Sequence, residues 1–161
     1  MFRHRTVVIA ATVLLGGGVF AGAALATAPA GSVATLQARG HKAGTLNAQA
    51  SGVTVKRRGG SADFAMLSVS FDPGGSTGWH HHPGVGLVSV ASGAVTRYEA
   101  DCSHHTYTAG QAFVEKGNKP GLVRNDGTTP ALMYVTFIIP ADTPATGLRI
   151  DDAQPASCDV H

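Results

Sequence analysis

The run Gly74-Gly75-Ser76-Thr77-Gly78-Trp79-His80-His81-His82-Pro83-Gly84 concentrates the residues of this chain that can do chemistry. Successive side chains of an extended strand point to opposite faces, so His80 and His82 share one face and His81 takes the other. Two imidazoles on one inward face are half of a transition-metal site, and Fe, Mn or Zn ordinarily needs at least three protein donors. His104, His105 and Glu115 could complete the set, but alternation assigns none of them to the interior. Exposed or rim positions are the ordinary fate of residues like His104 and His105, the latter against Tyr107. Glu115-Lys116 precedes a loop and reads as a surface pair. His81 reads as outward, and the three adjacent histidines could form a weak surface chelate for Cu, Ni or Zn. Trp79 is either a ligand-stacking wall or ordinary packing, the commoner role of a lone tryptophan. No nucleophile setting, phosphate-cradling loop or paired carboxylates stand out, and Asp151-Asp152 reads as a solvated tail feature.

These residues must be positioned by strands. Val53–Arg57 and Asp63–Phe71 read as the first firm pair, with Arg58-Gly59-Gly60-Ser61 as their turn. Asp72-Pro73-Gly74-Gly75 is a turn signal. Val85–Ala91 and Ala94–Glu99 read as hairpin partners about Ser92-Gly93, followed by short strands at Thr106–Thr108, Gln111–Glu115 and Gly121–Arg124. Asn125-Asp126-Gly127 is the strongest hairpin signal and leads into Ala131–Ile139. Many short strands without an amphipathic helix predict a small antiparallel barrel or sandwich. The expected inward residues are Phe71, Leu87, Val90, Phe113, Val123, Met133, Val135 and Phe137, with Trp79, Phe71, Phe113 and Met133 as the ligand-pocket candidates.

The start of the chain has a different character. Arg3 and Arg5 head an apolar run from Thr6 to Ala26 that closes on Ala24-Leu25-Ala26, the small-x-small pattern of a signal-peptidase site. The reading is a signal peptide over 1–26, a flexible segment over 27–51 with an edge strand around Ala34–Ala38, and a barrel domain with a C-terminal tail over 52–161. An uncleaved anchor is the alternative. Arg3 and Arg5 are two of twelve basic residues, so the remaining ten balance the ten acidic ones. That neutrality gives no field for nucleic acid, and membrane contact is expected only through the signal peptide before cleavage. Lys56-Arg57-Arg58 reads as a solvated hairpin tip. In a secreted or cell-envelope protein, Cys102 and Cys158 are most economically a disulfide, with about 4 kcal/mol of chain entropy behind it.

With these residues in place, the chain resembles the cupins. The first cupin motif is matched by Gly74, His80, His82 and Gly93, with Gly86 standing where the family has a glutamate. The second is matched by Gly110, Phe113-Val114, Pro120 and Asn125, with Gly121 at the histidine position. The resemblance covers about residues 62–140 and is closest to small exported single-domain bacterial cupins. These often carry Gly-Gly-Ser-Thr-Gly-Trp before the histidines and cysteines placed as Cys102 and Cys158 are. It implies an all-β double-stranded β-helix, a jelly-roll barrel, with a metal site reduced to His80 and His82, for which His105 or His104 could supply a third ligand. One Fe, Mn, Zn or Ni ion and no metal at all are equally compatible with that pattern. Glycine at both vacant positions implies open space, so restoring Gly86→Glu with Gly121→His is expected to raise metal affinity. The implied function is a barrel that binds a small molecule of unknown identity. The alternatives are a metal-dependent dioxygenase- or isomerase-type enzyme and a structural or interaction domain at the cell surface; homodimerisation is open.

Overall fold

A computed structural model describes residues 26–161, so the expected signal peptide lies, but for Ala26, outside the described residues. The strands are β1 (Ala30–Lys42), β2 (Leu46–Ala50), β3 (Val53–Arg57), β4 (Ala62–Ser76), β5 (His80–His81), β6 (Val85–Ser92), β7 (Ala94–Glu99), β8 (His104–Thr108), β9 (Ala112–Glu115), β10 (Gly121–Arg124), β11 (Ala131–Pro140) and β12 (Ile150–Asp151). One turn of 3-10 helix, Ala145–Gly147, precedes β12. None of the helices described is long and apolar enough to cross a membrane.

Two antiparallel rows of strands make the barrel. One runs β1-β4-β11-β6-β9 and the other β12-β5-β10-β7-β8. They join where Ser76, closing β4, pairs with Arg124 of β10. This is a jelly-roll double-stranded β-helix. Because the chain crosses between rows, several expected hairpins do not form. β6 pairs with β11 and β9, whereas β7 pairs with β10 and β8. Gly93, at φ 69°, turns the chain around a corner and lies against Pro130 and Ala131, where a Cβ would collide with backbone. Asn125 is likewise a corner residue. It is buried, its Nδ2 donates to the carbonyls of Asp72 and Thr129, and the Gly127 amide donates to its Oδ1.

Two further expectations are corrected. Asp72-Pro73-Gly74-Gly75 does not reverse the chain. β4 continues through it to Ser76, bent at Gly74 (φ 76°), and the strand passes from one row to the other. Val53–Arg57 does not pair with the strand after it, because both sides of β4 are taken by β1 and β11; it pairs instead with β2 in a separate two-stranded sheet. The 27–51 segment holds more strand than the short edge strand expected at 34–38. β1 pairs with β4 from Ala30 to Lys42, although nearly all its side chains are exposed. Backbone hydrogen bonds to an open sheet edge need little apolar content, which is why composition hid it.

The core gathers Val69, Phe71, Val88, Val90, Phe113, Val123, Met133, Val135, Phe137 and Ile139 between the rows. Leu87, expected inside, is 46 % exposed. Strand parity decides this: Gly86, Val88 and Val90 share the buried face of β6, so Leu87 and Val85 must face out. With Phe64, Met66, Val114 and Tyr134 they leave an apolar outer surface.

Candidate functional site

β5 carries His80 and His82 follows it, and the two imidazoles project inward with ring centroids 4.8 Å apart. Both are fixed through Nδ1. His80 Nδ1 lies 2.8 Å from the Gly78 carbonyl, and His82 Nδ1 lies 2.5 Å from that of Leu148. A carbonyl only accepts, so Nδ1 carries the proton and the Nε2 lone pair of each neutral ring is left for another partner. Burial pushes His80 down to about 3 and His82 down to about 4, the nearby Arg149 charge adding to the effect, so both rings are neutral at physiological pH.

The third donor is Glu115, at the end of β9. Its Oε2 lies 3.4 Å from His82 Nε2, and His80, His82 and Glu115 offer ligand atoms all within 4.8 Å of one another. The surface reading of Glu115 is corrected: it is 9 % exposed and faces the interior on the same side of the strand as Phe113. Alternation from the apolar Phe113 was the signal that could have found it. Burial pushes its carboxyl up to about 7, against the pull of Arg97 and Arg149.

The two glycines of the degenerate motifs differ in the room they leave, and at Gly86 there is none. Gly86 is paired with Glu115 across β6 and β9, and a Cβ on Gly86 would stand 3.0 Å from Glu115 Oε2 and 2.8 Å from Phe137 Cε1. The carboxylate has moved one strand over and fills the room of the missing glutamate. A Cβ on Gly121 would meet the Arg97 guanidinium at 3.4 Å. A Cβ fits there, and its nearest neighbour is a cation, the Arg97 guanidinium ion-paired to Glu99.

His104 and His105 are not in this group. Both are exposed on β8, His105 against Tyr107 and His104 against Tyr98. His81 faces the other way, and its Nδ1 donates to Asp152 Oδ2 at 2.8 Å, so Asp152 is a partner rather than a solvated tail residue. A cavity of about 140 Å³ adjoins the donors, lined by Leu67, Val69, Met133, Val135, Phe137, Leu148 and Arg149. Of the four residues expected to line a pocket, only Met133 does. Phe71 and Phe113 are core. Trp79 is fully buried in a second cluster with Leu122 and Cys158, its Nε1 donating to the Val160 carbonyl at 2.6 Å. The Cys102–Cys158 disulfide is formed. It anchors the tail behind Trp79, and the segment before it supplies Leu148 and Arg149 to the site.

The donor set suits a divalent transition metal. Two imidazole nitrogens and one carboxylate are the ligand types that Fe, Mn and Zn accept, and 3.4 Å is a normal separation for two ligands on one ion. A buried carboxyl whose charge is uncompensated at contact distance is also what a cation would neutralise.

An antiparallel double-stranded β-helix with an inward His-x-His strand and a carboxylate beside it defines a cupin domain. The Cupin domain family model matches residues 67–137, and that stretch is a cupin domain. Similar solved structures include a cupin domain from Bordetella pertussis Tohama I, 18% identical, covering 70% of this chain and 96% of that one with a TM-score of 0.47. A conserved protein of unknown function from Streptococcus pyogenes is 17% identical and covers 68% of this chain and 75% of that one, with a TM-score of 0.46. Oxalate oxidase in complex with glycolate is 27% identical, covering 46% of this chain and 41% of that one with a TM-score of 0.42. No curated protein matches the chain.

Proposed function

We propose that this protein is an exported cupin that holds one divalent transition metal through His80, His82 and Glu115 and presents it to a small molecule in the adjoining cavity. The observation that carries this reading is the Glu115 carboxylate in the room left by Gly86, which raises the donor count from two to three. Three protein donors leave coordination positions for water and ligand, the arrangement of catalytic rather than structural sites. Such an ion would supply Lewis-acid or redox chemistry. The chain's own part is to keep both imidazoles neutral and aimed by their Nδ1 bonds, and to keep the carboxylate in a largely apolar barrel. The disulfide is compatible with an oxidising compartment, in keeping with export.

The test is elemental analysis of the mature protein, purified without chelator or added metal, beside His80→Ala and Glu115→Gln. Near-stoichiometric Fe, Mn, Zn or Ni, lost in both variants, is expected. A folded wild type that stays metal-free when offered each ion overturns the proposal and leaves the reading of a metal-free binding barrel.

A further inference from the structure

One charged side chain of the cavity wall stands outside the donor set. Arg149 lies beyond the stretch that matches the family model, on the tail segment between the 3-10 turn and β12. It lines the cavity together with His80, His82 and Glu115. Its Nε is taken by Asp151 Oδ1 at 2.5 Å, on the solvent side where Asp151 is half exposed. Its Nη2 is buried and has no hydrogen-bond partner among the described residues. A guanidinium nitrogen cut off from water without an acceptor is costly, and the deficit is removed by an oxygen anion brought in by a ligand. The cavity also limits what brings it. Apart from the hydroxyls of Ser32 and Thr77, the rest of its lining is apolar, Leu67, Val69, Met133, Val135, Phe137 and Leu148 among it, and about 140 Å³ is close to the volume that takes up benzene.

We propose that the cavity selects a small monocarboxylate with a short apolar body, its carboxylate bonded by Arg149 and its body among Val69, Met133, Val135 and Leu148. The inference rests on the reading of this cavity as the ligand site. It adds the substrate class: an anion of about six to eight non-hydrogen atoms. Arg149 is a recognition residue here. Because Arg149 lines the same cavity as His80, His82 and Glu115, the anion it holds stands on the donor side of that cavity.

The experiment is an NMR titration of the mature protein with butyrate and with butyramide, the neutral isostere, on chelator-treated and on zinc-loaded samples. Wild type, Arg149→Met and Arg149→Lys are compared, with the amide spectrum of each free variant as the control for folding. Wild type should prefer butyrate by about tenfold or more, the scale of a hydrogen bond to a charged group. Arg149→Met should abolish the preference, and Arg149→Lys should restore part of it. Equal binding of the two probes, no binding of either, or a preference that survives in folded Arg149→Met overturns the proposal. A preference seen in protein that takes up no metal leaves this inference standing and removes the metal reading. Metal uptake without carboxylate preference does the reverse.

Discussion

Gly86 and Glu115 are cross-strand partners, and the carboxylate of one occupies the side-chain room of the other. A glycine at 86 is therefore what lets Glu115 stand beside His82. Restoring the family's glutamate at 86 is accordingly expected to fail, contrary to what the motif alone suggests. A Cβ there is 2.8 Å from Phe137, so Gly86→Glu should cost about 1–3 kcal/mol of stability through overpacking, and metal content should fall rather than rise. Adding Glu115→Gly should recover part of both. Urea midpoints with metal content on the single and double variants check this; higher metal affinity in folded Gly86→Glu alone would refute the strand-to-strand substitution. Gly121→His alone should gain little, because the new imidazole would lie against the Arg97 guanidinium.

What was legible in the sequence follows from strand parity. His80 and His82 could be placed together on an inward face because they are two apart on one strand. The same rule would have turned Leu87 out and Glu115 in, from Val90 and Phe113 respectively, had it been carried along each strand. The barrel itself was legible from turn spacing and the two motifs. Its pairing was not, because Ser92-Gly93 and Asn125-Asp126-Gly127 look like hairpin turns yet carry the chain between rows. Turn chemistry specifies a local bend, not which edge the next strand joins. Arg97, Leu148 and Arg149 reach the site through contacts distant in sequence, and no local pattern marks them.

The tail should depend on its disulfide. Cys102–Cys158 closes a loop with a sequence separation of 56, for which chain entropy gives about 4 kcal/mol as an upper figure. The bridge sits against Trp79, whose indole N–H donates to the tail carbonyl of Val160. The Cys102→Ala/Cys158→Ala double variant should lose several kcal/mol, about 3–4, and its tryptophan emission should shift to the red as the tail loosens. Unchanged emission with unchanged stability would show that packing alone seats the tail.

Export should leave a mature chain beginning at Thr27, a residue already built into the domain. Its amide donates to the Asp152 carbonyl at 3.2 Å, and its Oγ1 accepts from the buried Trp79 amide at 2.6 Å. For the exported chain proposed above, N-terminal sequencing should read from Thr27, after Ala24-Leu25-Ala26. Thr27→Val keeps the shape but strands the Trp79 N–H, at a cost of about 1–3 kcal/mol read from the urea midpoint. A start several residues downstream, in a protein of undiminished stability, would show that these bonds are dispensable.

The three donors give the metal-free protein a particular pH profile. His80 and His82, lowered by burial to about 3 and about 4 from 6.5, stay unprotonated in the fold while the unfolded chain takes up two protons near 6.5. Their contribution is present above 6.5 and is lost as pH falls toward 4. Glu115 acts oppositely. Raised to about 7 from 4.5, it keeps its proton in the fold after the unfolded chain has released one, so it lowers stability as pH rises from 4.5 to 7. Between those limits two histidines oppose one carboxyl, and stability should rise by about one proton's worth, roughly 1.4 kcal/mol per pH unit, to a maximum near pH 6.5–7. Glu115→Gln removes the opposing proton. On chelator-treated protein it should be more stable than wild type at about pH 8, by up to about 3 kcal/mol, and nearly equal at about pH 4.5. A variant less stable than wild type at the alkaline end would mean that the Glu115 carboxylate is already compensated in the metal-free barrel, and the argument that it awaits a cation would fall with it.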